Sequence, residues 1–252
     1  MVSLVPSLTE AVAVSGAGVL AGVTDWCTHP AELGGAGAAG AAGAGGGPVR
    51  IGGTKNPDVR AIVDLAPDLV IANEEENRAP DLEALRAAGL EVLVTEVRDV
   101  PSALRELERV LVGALGLVRR PGWLVDAERV WRGVEPGARL DAFVPVWRRP
   151  WMVLGRDTFA GDVLGRLGVR NVYAGHAERY PRVAVEELVR VGAGCDLVVL
   201  PDEPYRFTAE DGPDAFPALR PALVSGRHLT WYGPSLTEAP TVLGAQLRGR
   251  GA

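Results

Sequence analysis

Two short polar runs hold most of the chemistry this sequence can offer: Asn73-Glu-Glu-Glu-Asn-Arg78 and Asp202-Glu-Pro-Tyr-Arg206. Each is acidic, ends in arginine and follows apolar β-formers, so each reads as a loop leaving the carboxyl end of a strand. Glu75, Asn77 and Glu203 would accept from or donate to amide, hydroxyl or cationic groups, and Arg78 and Arg206 would clamp a carboxylate or phosphate. The competing reading is a solvated rim with locally paired arginines. Aromatic residues gather in predicted loops as well: Trp26, Trp147, Trp151, Tyr180, Tyr205, Trp231 and Tyr232. Rings with polar tips suit a large flat ligand, and the alternative is that they roof the core. Lys55, Arg148, Arg149 and Arg156 are further cations for an anionic group.

Catalytic and metal signatures are sparse. The sequence has no Gly-x-Ser-x-Gly elbow and no Walker loop, so no catalytic residue is assigned. His29 stands near Cys27, but Cys-Thr-His lacks the multi-ligand spacing of a zinc site, and no metal site is assigned. His29 or His176 remains a candidate axial ligand to a chelated metal. Ser7, with Glu10 three residues on, reads as a helix N-cap whose amides offer an anion site.

These residues need a scaffold, and the sequence repeats one. Val59–Leu65 then Asp68–Arg78 matches Val185–Val191 then Asp196–Arg206: an amphipathic helix, a turn, an apolar strand and the acidic loop. The second copy carries two extra residues in its turn. Between the copies, Pro101–Leu117 places Leu104, Leu107, Leu111 and Leu115 at helical spacing, and a second helix runs from Pro121 to about Arg132. Strand and helix alternate elsewhere, which favours parallel, helix-covered sheets. The expected class is α/β, with two Rossmann-like lobes joined by a backbone helix and a ligand cleft between them. The expected lobes are residues 1–100 and 135–252, with 101–134 as connector and the Gly/Ala run 34–47 as a mobile loop.

With 252 residues, 47% hydrophobic and 23% charged, the chain can bury a full core. A net charge of −6 and no basic stripe exclude nucleic acid as partner. No run reaches the roughly 18 apolar residues of a membrane span. The N-terminus enters Val2-Ser-Leu-Val-Pro6 directly, which implies a cytoplasmic product as written, or an exported one if translation starts upstream. Cys27 and Cys195 fall in opposite halves and are expected to be free.

Ser3-Leu-Val-Pro-Ser-Leu-Thr-Glu10, Gly52-Gly53 ahead of Pro57, and Pro67-Asp-Leu-Val-Ile71 together resemble the metal-chelate substrate-binding proteins. This helical-backbone metal receptor group includes vitamin B12, siderophore and haem receptors. The resemblance implies a non-enzymatic, periplasmic-binding-protein-like receptor for a corrinoid such as cobalamin, or another metal chelate, with no cofactor required. It also implies an ABC transporter permease as partner, docked through a glutamate on each lobe. Glu186 matches the second position, whereas Arg60 stands at the first and would repel a permease arginine. The alternative is a cytoplasmic enzyme on the same fold, working on a small polar substrate through the acidic loops.

Overall fold

The computed structural model describes residues 1–33, 47–137 and 139–249. The chain divides into two compact units. The first comprises Met1–Val97, Leu104–Leu124 and Tyr232–Pro234; the second comprises Arg98–Ala103, Val125–Trp231 and Ser235–Ala252. Both helices of the expected connector are therefore divided between units, and the chain changes unit again between Trp231 and Tyr232. The Gly/Ala run 34–47 lies outside the described residues except for Gly47.

Unit 1 is built on a parallel sheet of β1 (Val2–Ser3), β2 (Gly22–Val23), β3 (Val49–Arg50), β6 (Val70–Asn73) and β7 (Val92–Thr95), in the order β3-β2-β1-β6-β7. An antiparallel pair, β4 (Gly52–Gly53) and β5 (Asn56–Pro57), precedes helix α2 (Val59–Asp64). Every residue of β6 is buried, as expected of a parallel strand covered on both faces. Its core partners include Leu4, Ile51, Ile62, Leu82 and Leu85, the last two from α3 (Ala79–Ala87). Asp58 starts α2 by accepting a hydrogen bond from the Ala61 amide at 2.9 Å. The first helix, α1 (Pro6–Val14), starts differently from the expectation. Val5 is its N-cap and Pro6 occupies the first turn, so Ser7 lies inside the helix and forms no capping box with Glu10. Proline already has the helical φ and no N–H to satisfy, which places the start two residues earlier.

After α4 (Val100–Glu108) the chain widens into a π-helical stretch, Arg109–Ala114, where Leu115 N–H bonds to the Val110 carbonyl at 2.9 Å. The spacing argument, which assumes a uniform 3.6-residue helix, misses this widening. Leu107 and Leu111 are buried as their spacing predicts. Helix α5 (Gly122–Arg132) follows.

Unit 2 has its own parallel sheet, ordered β11-β8-β12-β13: β8 (Leu140–Phe143), β11 (Val169–Asn171), β12 (Leu197–Pro201) and β13 (Arg220–Val224). The expected single strand 139–147 is divided at Val144. Its second part, β9 (Pro145–Arg148), leaves the main sheet to pair antiparallel with β10 (Trp151–Val153). Helices α6 (Phe159–Arg166), α7 (Val185–Gly192), α8 (Gly226–Thr230) and α9 (Ala239–Leu247) complete it. The core gathers Phe143, Leu188, Val198, Leu200, Phe207 and Phe216. Among the described residues no helix is long and apolar enough to cross a membrane.

The two sequence copies have the same local architecture, α2–β6 in unit 1 and α7–β12 in unit 2. They differ at the turn. In the short copy Ala66 is forced to φ 42°, a region L side chains avoid; in the longer copy Ala193 keeps φ −58°.

Candidate functional site

Each sheet reverses its winding direction once. In unit 1 the reversal lies between β1 and β6, and in unit 2 between β8 and β12. Loops at the carboxyl ends of strands at such switch points are where open parallel sheets bind ligands. The loop after β6 is Glu74–Arg78, and the loop after β12 is Asp202–Arg206. Both acidic runs therefore leave the carboxyl end of a switch-point strand in their own units.

In unit 1, Asn77 is buried and spends its amide on protein. Its Oδ1 accepts from Asn73 N–H at 2.8 Å, and its Nδ2 donates to the carbonyls of Thr54 at 2.9 Å and Leu4 at 3.3 Å. It thus ties the acidic loop to the segment after β1 and to the β4–β5 hairpin. Arg78 turns outward to Asp81 through Nε at 3.1 Å, the locally paired arrangement, and Lys55 donates to the Glu75 carbonyl.

The glutamate that sequence reasoning passed over is Glu76. Tyr232, only 5% exposed, donates its hydroxyl to Glu76 Oε1 at 3.1 Å. Desolvation pushes the Glu76 carboxyl up to about 7, aided by the neighbouring Glu75 and opposed by the Tyr232 bond and Lys55. The residue keeps some surface, but its charged group has little water. Its partner lies 156 residues away, so no local pattern could have marked it. The Ser7 side chain sits beside the same phenol, whose pKa it lowers, and its buried Oγ completes no hydrogen bond of good geometry among the described residues. Gly233 runs so close to Ser7 that a Cβ there would lie 3.1 Å from the Ser7 carbonyl. Trp26 is 65% exposed and its ring nitrogen lies beside Gly53. His29 shares a 3.1 Å hydrogen bond with the Thr28 hydroxyl.

Unit 2 repeats the theme with other parts. Trp231 Nε1–H donates to Glu203 Oε2 at 3.0 Å, and burial raises the Glu203 pKa. A Cβ on Gly226 would lie 2.6 Å from both Glu203 N and Glu203 Cβ, so only glycine lets α8 meet this loop. The Gly226 amide also donates to Asp202 at 2.6 Å. Tyr205 donates to Asp211 at 2.5 Å and meets Trp147 edge-on at 5.6 Å. Trp151 stacks on Phe207 at 6.1 Å, which makes it mainly a core residue; Trp147 is exposed. Arg148 binds Asp211 and Asp214 and covers the Trp151 ring, so it is not available for a ligand anion. Arg156 pairs with Asp157 at 3.7 Å, Arg149 and Arg206 are exposed, and Tyr180 is half-buried between β11 and α7. His176 accepts from Glu178 N–H, and His228 lies between Ser225 and Glu238.

The candidate residues thus resolve into two groups. Ser7, Glu75, Asn77 and Tyr232, together with the unanticipated Glu76, meet in unit 1. Glu203 and Trp231, and separately Trp147, Trp151 and Tyr205, meet in unit 2. Glu186 is exposed in the first turn of α7, and the Arg60 side chain is 92% exposed on α2. Both cysteines are free; Cys27 is buried within hydrogen-bond reach of Thr9 and Thr24. Among the described residues no three metal-ligating side chains come together.

No protein-family model and no curated protein matches the sequence. Solved structures do match. The periplasmic vitamin B12-binding protein BtuF of Vibrio cholerae aligns over 98% of this chain and 96% of its own, with TM-score 0.70 and 16% identity. A periplasmic haem-binding protein from Pseudomonas aeruginosa aligns over 99% and 92%, with TM-score 0.73 and 22% identity. The apo haem-binding protein RhuT from Roseiflexus sp. RS-1 aligns over 97% of each chain, with TM-score 0.71 and 20% identity. At these identities what is shared is the fold: end to end, this chain is folded like the periplasmic metal-chelate-binding proteins.

Proposed function

We propose that this protein is a non-enzymatic receptor for a metal chelate, of the corrinoid or haem kind. The observation that carries the reading is the end-to-end match to chelate receptors. It is supported by two sheets whose switch-point loops each hold a half-buried acceptor anchored by an aromatic donor. Trp26 and Trp147 offer exposed ring surface of the kind a macrocycle covers. The matched receptors are periplasmic, which supports an exported location and gives none to a cytoplasmic one. An ABC permease is the corresponding partner, with Glu186 as its docking residue.

One observation favours an enzyme instead. A carboxyl titrating near neutrality, as Glu76 does, suits general acid–base work. Burial accounts for that shift without a catalytic role, however.

The test is titration of the purified protein with cyanocobalamin, hydroxocobalamin and haemin, followed by visible spectra and tryptophan quenching. Saturation at one chelate per chain, weakened in Trp26→Ala or Trp147→Ala, is the expected result. No binding of any of the three would remove the chelate reading.

A further inference from the structure

Resting on the receptor reading, we infer that unit 2 meets the ligand with the Trp147 ring face and two unpaired arginines, Arg149 and Arg206. The chelate it takes is then a flat ring with carboxylate arms. All three residues lie in unit 2, on two segments that pack together: the β9–β10 hairpin and the loop after β12. The ring surface is built from the core outward. Trp151 meets Phe216 at 5.2 Å and stacks on Phe207 at 6.1 Å. Phe207 meets Tyr205 at 4.7 Å, and Tyr205 meets Trp147 edge-on at 5.6 Å. The series begins at Phe207 and Phe216, each 3% exposed, and ends at Trp147, 43% exposed. Polar bonds lock it. The Tyr205 hydroxyl donates to Asp211 at 2.5 Å, and Arg148 holds Asp211 and Asp214 while covering the Trp151 ring at 5.4 Å. A tryptophan seated on so fixed a neighbour gives up little freedom when a flat ring stacks on it.

The arginines beside that face are in two conditions. Arg148, its side chain 13% exposed, is spent on two aspartates. Arg149 and Arg206 are exposed and, among the described residues, have no carboxylate partner. Arg149 follows Trp147 by two residues, so their Cα atoms lie within about 7 Å. Arg206 follows Tyr205, the residue on which Trp147 rests. Each free arginine therefore borders the ring surface in one of its two segments. The acids of the same loops are engaged by protein groups. Asp202 accepts from the Gly226 amide at 2.6 Å, Glu203 from the Trp231 indole at 3.0 Å, and Asp211 and Asp214 from Arg148, leaving Glu210, four residues beyond Arg206. An arginine without a carboxylate partner offers two parallel N–H groups that match the two oxygens of a ligand carboxylate. A neutral amide rim would leave that charge-assisted pairing unused.

The test compares zinc protoporphyrin, which carries two carboxylate arms, with its dimethyl ester and with dicyanocobinamide, whose arms are amides. All three are titrated by tryptophan quenching in one mild detergent. Zinc protoporphyrin should bind about tenfold tighter than the ester at pH 8, roughly 1.4 kcal/mol. The gap should shrink to about threefold or less in Arg149→Gln/Arg206→Gln, once a melting curve has shown that the variant folds. It should also shrink in the unmodified protein at 1 M salt, where the screening length is about 3 Å. Arg156→Gln removes an exposed arginine already paired with Asp157 and should keep the gap. Equal or tighter binding of the ester would overturn the inference and leave the receptor reading intact. So would binding confined to dicyanocobinamide, a gap unchanged in the double variant, or a gap that Arg156→Gln closes equally well. Binding of none of the three rings would overturn both.

Discussion

The acidic loops of the two units solve one problem in two ways. In unit 1 the glutamate is anchored by a buried phenol and the loop itself is tied down by Asn77, a single side chain with three hydrogen bonds to backbone. In unit 2 the glutamate is anchored by an indole, and the loop is held by close approach of backbone, Gly226 against Glu203, with one amide bond to Asp202. Side-chain hydrogen bonding fixes the first loop; the absence of a side chain fixes the second. The two should therefore fail under different substitutions.

The largest effect is expected at Gly226. A Cβ at 2.6 Å from backbone atoms cannot be absorbed by a flexible tip, so Gly226→Ala must move the Glu203 loop or α8. Destabilisation of about 3 kcal/mol in a urea melt is expected, the upper end of the usual range for overpacked sites. The matching change at Gly233, where a Cβ would meet the Ser7 carbonyl at 3.1 Å, should cost clearly less. Equal costs would dissolve the distinction between the loops.

Asn77→Ala comes next. It leaves the Asn73 amide and the Thr54 and Leu4 carbonyls to find other partners, at about 1–3 kcal/mol. Hydrogen exchange should localise the loss to 52–57 and 73–78, and exchange that accelerates uniformly would refute the stapling role.

The third prediction is a pH dependence of stability carried by Glu76 in the unit 1 loop. Glu76 titrates near 7 in the fold against an ordinary value of 4.5, so between those values the folded state binds more protons than the unfolded one. Stability contributed by this group is full below about pH 4.5 and is lost as pH rises through about 7. Glu76→Gln should remove that slope, leaving the variant about 1–2 kcal/mol more stable than the parent at pH 8. Tyr232→Phe deletes a bond that favours the charged form, so it should push the Glu76 pKa higher still, read by carboxyl-carbon NMR.

Legibility in the sequence followed distance along the chain. The α2–β6 and α7–β12 copies were readable because helix, turn, strand and acidic loop lie within some twenty residues and obey local periodicity. Sheet composition followed from β-branched runs such as Val70-Ile-Ala and Leu197-Val-Val-Leu. What escaped depends on contacts between remote segments. Glu76 became notable only through Tyr232, and Trp151 moved from candidate site to core only through Phe207 and Phe216. Ser7 looked like a cap because the pattern of residues 7–10 fits one, and Pro6 competed for the same helix start. Asn77 was expected to face a ligand, but its amide is spent on three backbone partners that no spacing rule relates.

A smaller effect is expected at the turn between helix and strand. Ala66 holds φ 42°, where its counterpart segment, two residues longer, needs no such strain. Ala66→Gly should remove the Cβ conflict, about 1–2 kcal/mol for a left-handed L residue, against a comparable entropy cost of up to about 1 kcal/mol. A net gain of about 0.5 kcal/mol in thermal melts is expected. The same glycine at Ala193, at φ −58°, carries only the entropy cost and should destabilise. Opposite signs at equivalent turns are the prediction, and equal signs would deny that turn length is the cause.

The smallest effect separates the two copied helices by charge. Aligned position by position, Arg60 and Asp64 of α2 correspond to Glu186 and Arg190 of α7, so the signs are exchanged at both ends. In α7 the acid lies at the N-terminus and the base near the C-terminus, with the helix macrodipole; in α2 both oppose it. The Arg60–Asp64 pair, 4.0 Å apart with side chains 92% and 73% exposed, offers little in return. The exchange Arg60→Glu/Asp64→Arg keeps the pair but reverses its direction, and Glu ahead of a base at i+4 is the better order. Stability should rise by about 0.3–1 kcal/mol at low salt, a gain that shrinks at 1 M salt. The reciprocal exchange Glu186→Arg/Arg190→Glu in α7 should lose a similar amount. If both exchanges are neutral, α2 is too short or too frayed for its dipole to matter, and Arg60 is simply a solvated charge. If α2 gains and α7 loses, the native α2 arrangement carries a stability cost, and permease binding by the Arg60→Glu/Asp64→Arg protein becomes the decisive comparison.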